Sequence, residues 1–468
     1  MKSRLDWNRL LNTERRKKSA HIEGDPRSEF ERDYDRALFS TPVRRLQDKA
    51  QVFPLEAHDS IRTRLTHSLE VSAIARTLGF YCAPIIQRNE KYAQVQPRDV
   101  EFACLTCGLL HDIGNPPFGH SGEKAIGDWF AKKMHDDSTL EHSLSDGGGS
   151  PAKSQRVCDL VGFEGNAQTF RIITKLQLLD NYFGLNLTYG TLAVSLKYTV
   201  PSHRVDSHFA HTKKFGYFHS ENGVVAEVRE KTGLGELRHP LTYLVEAADD
   251  IAYSVVDIED GLKKGTISWE FLKSLPEAET LKSHIQLAEK RVDSSEAAAE
   301  LTPKEKNDAR AVHLRTVLIT EMVKSIVRVF DGRYEEIMTG RVNDSLEKLC
   351  DMSASFAACK AVGKKHIYFA NDILKLEVMG RRVVTELMDL FWVGVTERKH
   401  DSDAARFPNK VFELMSPNYR RVFEHYTIEA RRKELTDNYR ACLLVSDYLC
   451  GMTDSFACSL HKELFNAK

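Results

Sequence analysis

Val100-Glu101-Phe102-Ala103-Cys104-Leu105-Thr106-Cys107-Gly108-Leu109-Leu110-His111-Asp112-Ile113-Gly114-Asn115-Pro116-Pro117-Phe118-Gly119-His120 is the stretch that decides the fold. Over 100–110 it is apolar on nearly every face, which suits a helix surrounded by other helices. The run ends at His111-Asp112, where Gly114 and two prolines break it. Upstream, Leu65, Leu69 and Ala73, flanked by Val71, Ile74, Ala75 and Leu78, give a second, wide apolar stripe ending at Gly79. Downstream, Pro240 opens a third helix that runs through Leu241, Leu244, Val245, Ala248, Ile251 and Ala252 and fades near Gly261. Long periodic stretches recur at 312–330 and 373–395. Alternating strand patterns are absent apart from one short hairpin expected over 215–228, turning at Glu221-Asn222-Gly223. The expected class is all-α.

Outward from these helices, composition sets the bounds. The chain has 468 residues, 42% hydrophobic and 28% charged, which excludes disorder as a whole-chain description. With 66 Lys+Arg against 67 Asp+Glu, the net charge is -1, which argues against a protein built to wrap nucleic acid. No apolar run approaches the roughly 18 residues of a membrane span. The early Glu14-Arg15-Arg16-Lys17-Lys18 is unlike a signal segment, and nine cysteines do not read as a disulfide framework. The expected address is cytoplasmic. Gly147-Gly148-Gly149-Ser150-Pro151 marks 143–155 as a flexible insert, and the charged 289–310 reads as a solvated helix or linker. The expected organisation is an N-terminal body over 1–285, a polar linker or solvated helix over 286–310 and a C-terminal helical region over 311–468 that completes the body.

A His-Asp dipeptide begins at His58, His111, His135 and His400, so the pair alone carries no information. His111-Asp112 differs by context. Adjacent helical residues point about 100° apart, so both side chains reach one cation most easily where the helix breaks. Imidazole plus carboxylate suits Mn, Fe, Co, Ni or Zn, with Mg held more weakly. A cation needs further ligands, and two buried helices offer candidates: His67 within Arg62-Thr63-Arg64-Leu65-Thr66-His67-Ser68-Leu69-Glu70, and Asp249 beside Asp250 in Glu246-Ala247-Ala248-Asp249-Asp250-Ile251-Ala252-Tyr253. Each alone is ordinarily a satisfied core residue. Buried carboxylates are expensive unless paired or metal-bound, and the ordered series His, His-Asp, Asp favours the metal.

That series resembles the HD-domain phosphohydrolase superfamily and, within it, the dGTPase-like deoxynucleotide hydrolases. The resemblance also rests on Arg44-Arg45-Leu46-Gln47-Asp48-Lys49-Ala50-Gln51-Val52-Phe53-Pro54-Leu55, on Phe163-Glu164-Gly165-Asn166-Ala167-Gln168 and on Asp447-Tyr448-Leu449-Cys450-Gly451-Met452-Thr453-Asp454, so it covers most of the chain. It implies an HD-domain helical core with added C-terminal helices. The implied reaction is hydrolysis of a deoxynucleoside triphosphate, dGTP first, to deoxynucleoside and inorganic triphosphate. By analogy His67, His111, Asp112 and Asp249 hold a divalent cation, manganese or magnesium first, with Co, Ni, Zn or Fe compatible. His120 and Glu123 lie one helical turn apart, so the carboxylate can orient and charge the imidazole; the family uses this pair in catalysis, whereas in an unrelated chain it would read as a surface ion pair.

For the substrate, Arg64 lies one turn before His67 and suits a phosphate. The resemblance adds Lys197 for the phosphates, Tyr253 beside the sugar, and Asp257 with Gln47 on the 3′-hydroxyl. It leaves Lys410, Arg420 and Arg421 as weaker triphosphate candidates. It also implies a homo-oligomer, hexameric in many members, with single-stranded DNA an unproven effector and no membrane partner. The Cys104/Cys107 pair has no second pair to complete a zinc site and reads as core packing. Alternatives are another HD-type phosphohydrolase, either a nucleotidase or a signalling-nucleotide hydrolase, or a non-catalytic nucleotide-binding regulator. Asn115-Pro116-Pro117 stands where alarmone hydrolases carry acidic residues, and the one Gly-Tyr is followed by Phe218, not by the proline of the cyclic-dinucleotide branch.

Overall fold

The computed structural model describes residues 4–18, 24–53, 55, 60–145, 154–177, 182–369, 371–399, 406–425 and 436–465. Among the described residues the chain is helical throughout, and β pairing is confined to isolated bridges. Nine helices position the site: α1 (Arg64–Gln87), α2 (Pro97–Leu110), α3 (Gly119–Asp136), α4 (Gly165–Arg171), α5 (Pro240–Lys263), α6 (Pro303–Gly332), α7 (Asn371–Thr396), α8 (Asp437–Cys450) and α9 (Asp454–Phe465).

The apolar runs become the centre of the body. No residue of α2 from Val100 onward is exposed, because α1, α5 and helix Glu29–Leu38 pack around it. Pro97 opens α2 at its first turn, where a missing N–H costs nothing. Residues 240–261 of α5 are likewise without an exposed member. The neutral ring of His239 caps α5, accepting from Leu241 N at 3.1 Å; burial pushes this imidazole down to about 3. Arg62 ties the start of α1 to the end of α5 through Glu70 at 2.8 Å, Glu259 at 2.7 Å and Asp260. On the far side α7 packs against α3, α8 and α9, so the C-terminal region closes over the helix that follows the His-Asp turn.

Four expectations change. The 215–228 hairpin is absent: a 3₁₀ turn at His219–Glu221 leads into helix Asn222–Thr232, whose Val224, Val225 and Val228 are buried at helical spacing. Helix α1 does not end at Gly79 but continues to Gln87. Glycine there permits close approach to α2, since a Cβ would lie 3.2 Å from Val100 O. The inward face of α1 carries His67, Ser72, Val71, Ile74, Ala75 and Leu78, whereas Leu69 is 41% exposed, because polar inward residues had masked the true stripe. By length and composition α1 could also cross a membrane, which counting uninterrupted runs does not register; half of its most apolar window is buried inside the protein.

The polar 289–310 stretch forms the tip of a helical pair, Lys282–Asp293 against α6, with Thr302 and Glu305 making a capping box. Of the insert expected over 143–155, residues 146–153 lie outside the described residues, while Ser143 ends one helix and Gln155 begins the next. Truncating Leu78, fully buried on α1, should cost about 2–5 kcal/mol as Leu78→Ala in urea unfolding. Leu69→Ala on the same helix should change stability by no more than about 0.5 kcal/mol, and comparable losses would reverse the assignment of the inward face.

Candidate active site

Three helices deliver the cluster. His67 sits in the first turns of α1, His111 is the residue at which α2 ends, and Asp249 lies midway along α5. One ligand atom from each lies within 4.8 Å of the others. Asp249 Oδ1 is 3.4 Å from His67 Nε2 and 3.5 Å from His111 Nε2. His111 Nδ1 lies 2.7 Å from Gly108 O, a bond that requires Nδ1–H and turns the lone pair of Nε2 into the cluster. His111 Nε2 and both ring nitrogens of His67 are buried without a hydrogen bond. Unpaired buried nitrogens facing a carboxylate are the donor set of a divalent cation site, and His67, His111 and Asp249 fit one.

Asp112 stands at the edge, Oδ2 at 3.5 Å from His111 Nε2, and both its oxygens are engaged: Oδ1 accepts from Asn115 at 2.7 Å and Oδ2 from Arg64. Burial alone would raise the Asp112 carboxyl, but His111 and Arg64 hold it well below the usual range. Burial opposes ionisation of Asp249 as well, yet Lys197, at 3.3 Å, and the two histidines keep it low.

The cluster opens into a cavity of about 420 Å³ whose wall includes Arg64, Lys197, Tyr253 and the His120/Glu123 pair. His120 and Glu123 occupy the first turn of α3, with Nδ1 of the imidazole 2.7 Å from Glu123 Oε2. The other oxygen of Glu123 accepts from Gly165 N at 2.8 Å, at the start of α4. Glycine is required there: a Cβ would lie 2.5 Å from Asn115 Oδ1 and 2.6 Å from Glu123 Oε1. The bond to Glu123 raises the His120 imidazole above its ordinary value. Burial works against the Glu123 anion, but His120 and Lys214 lower it.

Other expected residues are placed less uniformly. Asp257 is buried and does not line the cavity; its Oδ2 accepts from the Tyr368 hydroxyl, which does, and its Oδ1 has no partner among the described residues. Burial pushes this carboxyl up to about 7. Gln47 lies in a 3₁₀ turn with its side chain exposed and does not line the cavity. Lys410, Arg420 and Arg421 do not line it either; Arg420 pairs with Glu413 and lies over the Phe412 ring. Of the other His-Asp dipeptides, His135-Asp136 closes α3 away from the cluster, while His58-Asp59 and His400-Asp401 lie outside the described residues. Cys104 and Cys107 are free thiols packed in the core.

Sequence reading missed Gln51, Lys214 and Tyr368. All three line the cavity, Gln51 with a buried, unpartnered Oε1 and Lys214 at 2.6 Å from Glu164. The first lay within a recognised stretch, one turn beyond Gln47; the other two lie in segments with no motif. A larger cavity, about 720 Å³, lies behind the same Glu164–Lys214 pair, lined by Met134, Val157, Val161 and Phe215; it contains none of the cluster, so chemistry and not size identifies the site.

Comparison with known proteins agrees with this geometry. Residues 64–160 match the HD domain and residues 350–463 the phosphohydrolase-associated domain. A deoxyguanosinetriphosphate triphosphohydrolase-like protein of Listeria monocytogenes is 34% identical, covering 98% of this chain and 99% of its own. One from Synechocystis is 33% identical over the same shares. The deoxyguanosinetriphosphate triphosphohydrolase of Yersinia enterocolitica is 30% identical over 100% of both chains. With its cluster inside the matched HD domain and α5, and similarity running from end to end, the chain belongs to the deoxyguanosinetriphosphate triphosphohydrolase family of HD-domain phosphohydrolases.

Proposed function

We propose that this enzyme is a metal-dependent deoxynucleoside triphosphate triphosphohydrolase, with dGTP its first substrate, releasing deoxynucleoside and inorganic triphosphate. The observation that carries this reading is one cavity joining a His67/His111/Asp249 cluster, a His120–Glu123 pair and the cations Arg64, Lys197 and Lys214. His67, His111 and Asp249 would hold the cation, with Asp112 beside them; the donor set suits manganese and the later first-row metals, and tolerates magnesium. A divalent cation bound there supplies Lewis-acid charge for the α-phosphoryl oxygens.

The remaining chemistry belongs to side chains. Arg64, Lys197 and Lys214 each pair with a carboxylate, of Asp112, Asp249 and Glu164 respectively, so a polyphosphate replaces one anionic partner with another. With Nδ1 held by Glu123, His120 has Nε2 free to give a proton to the departing 5′-oxygen. Tyr253 and Tyr368, ring centroids 6.1 Å apart, form the sugar wall, and Asp257 accepts from the 3′-hydroxyl through its unpartnered Oδ1. The amide contact expected of Gln47 passes to Gln51.

Manganese-loaded enzyme given dGTP should yield equimolar deoxyguanosine and triphosphate by ion-exchange chromatography; pyrophosphate or orthophosphate would point to a different phosphohydrolase. His67→Ala, His111→Ala and Asp249→Ala should lose both bound manganese, by elemental analysis, and turnover. His135→Ala should keep both, and equal loss there defeats the ligand assignment.

The proton pair makes a prediction of its own. Because Glu123 raises the His120 pKa above 6.5, the acid form persists below that raised value and is lost as pH climbs through it. The kcat profile should therefore fall on its alkaline side. Glu123→Gln should move that limb to lower pH and reduce kcat about 100-fold while metal content is unchanged. An unmoved limb would remove Glu123 from this role.

The sugar contact is tested with analogues. A 2′,3′-dideoxy nucleotide leaves Asp257 unpaired and should lose roughly 1–3 kcal/mol in kcat/KM relative to the deoxy substrate. Asp257→Ala should narrow that gap, and an unchanged ratio excludes the contact.

A further inference from the structure

The motif Asp447-Tyr448-Leu449-Cys450-Gly451-Met452-Thr453-Asp454 has no part in the reading above, yet its polar groups reach both sides of the proton pair. Asp454, 2% exposed at the start of α9, accepts from two backbone amides with its two oxygens: Phe118 N at 3.0 Å and Ala50 N at 3.0 Å. Phe118 lies two residues before His120 and is held in the left-handed region at φ 64°, one of three non-glycine residues there among those described. That conformation is uncommon for a bulky side chain and persists where surrounding structure imposes it. No side chain of its own segment caps α3. A carboxylate from the C-terminal region does that work, at a helix N-terminus where negative charge is favoured.

The second amide belongs to Ala50, whose carbonyl accepts from Arg64 Nε at 3.1 Å. The neighbouring Lys49 is buried and donates to Asn115 O at 2.6 Å and Cys450 O at 2.7 Å, fastening the turn after His111-Asp112 to the end of α8. At the other end of the motif, Asp447 binds Arg171 at 2.6 Å and Gln168 at 3.0 Å, both on α4. The first residue of α4, Gly165, is the donor to Glu123. One motif thus grips the turn that presents His120 and the helix that holds Glu123.

We propose that Asp454 is a positioning residue for the proton pair, setting the Phe118 turn so that His120 meets Glu123 and faces the substrate. The proposal rests on the role given to His120 above. The groups facing this imidazole are Glu123 on its own helix, Arg64 on α1, and Lys214. Displacing it lowers turnover without removing the metal, whose ligands sit on other helices.

The test compares Asp454→Ala, Asp454→Asn and, as a control, Ser455→Ala, whose hydroxyl bonds only Asp48. In the metal-loaded full chain, Asp454→Ala should lower kcat about 10- to 100-fold with KM and manganese content within about twofold of wild type. Asp454→Asn, keeping one acceptor oxygen, should lose less, and Ser455→Ala nothing. In magnesium-loaded protein the ring-carbon NMR signal of His120, identified as the one missing from His120→Gln, should titrate at lower pH in Asp454→Ala than in wild type. Unchanged kcat with an unchanged titration overturns the proposal, and so does a kcat loss matched by equal losses of metal and melting temperature. Should Asp454→Ala fail to fold, Asp454→Asn gives the same readouts. If wild type cleaves no deoxynucleoside triphosphate, the functional reading fails, while the His120 titration still decides Asp454.

Discussion

Carboxylates and imidazoles buried at the meeting of three helices impose the constraint that the rest of the structure answers. Removing an ionised carboxylate from water costs several kcal/mol even after relaxation, so each such group needs a partner in a fixed place. Asp249 has Lys197 and two histidines; Asp112 has Arg64 and Asn115. Those partners come from α1, from the end of α2 and the turn after it, and from Lys197 just past helix Tyr189–Ser195, so these elements must meet at one point. The remaining faces of α2 are then largely apolar, whereas α5 buries further carboxylates and meets each with its own partner: Glu246 with Arg238, and Glu259 and Asp260 with Arg62.

This explains what was legible in the sequence. A helix apolar on every face, interrupted by His-Asp and then by glycine and prolines, has few places to go, so α2, α5 and the ligand candidates could be read directly. The error on α1 has the same origin: His67 and Ser72 face inward as part of the polar centre, so counting apolar residues selected Leu69 on the outside. The 215–228 hairpin failed because an Asn-Gly step signals a turn only when strand periodicity flanks it, and here the valines recur at helical spacing. Lys214 and Tyr368 were invisible for another reason. They reach the cavity from loop and π-helical segments whose path is set by tertiary packing, and no local pattern reports where such a side chain ends.

Division of labour between the two halves of the chain also follows from packing. The matched HD segment, 64–160, supplies His67, His111, Asp112, His120 and Glu123, yet the turn between Asp112 and His120 is held in part from outside it. Within the phosphohydrolase-associated segment, α7 packs along α3: Asp389 accepts from Trp129 Nε1 at 2.8 Å, and Gly380 leaves room for the Phe118 ring. The turn between Asp112 and His120 is thus held from both sides of the HD segment in sequence, by Lys49 before it and by Asp454 and the space beside Gly380 after it. Long-range contacts of this kind join residues more than 330 positions apart, as Phe118 and Asp454 show.

The same accounting separates the buried carboxylates near the cavity by the partners each one has. Glu123 and Asp257 are both buried carboxylates, and burial pushes both upward, but their outcomes differ. Glu123 has an imidazole, a nearby lysine and a backbone N–H, and stays below its ordinary value. Among the described residues Asp257 is bonded only to the Tyr368 hydroxyl, and burial prevails, raising it to about 7. Asp250 on the same helix is also raised to about 7, by burial and by Glu347, although Asp249 next to it is held low. Ionised carboxylates with cationic partners therefore gather at Asp249, Asp112 and Glu123, where Lys197, Arg64 and Lys214 supply the positive charge. Asp257, with a tyrosine hydroxyl in place of a cation, lies outside that charged group. A carboxyl bonded to a neutral hydroxyl gains little from ionising, and the same environment at the position of Glu123 would leave His120 without the anion that raises its imidazole.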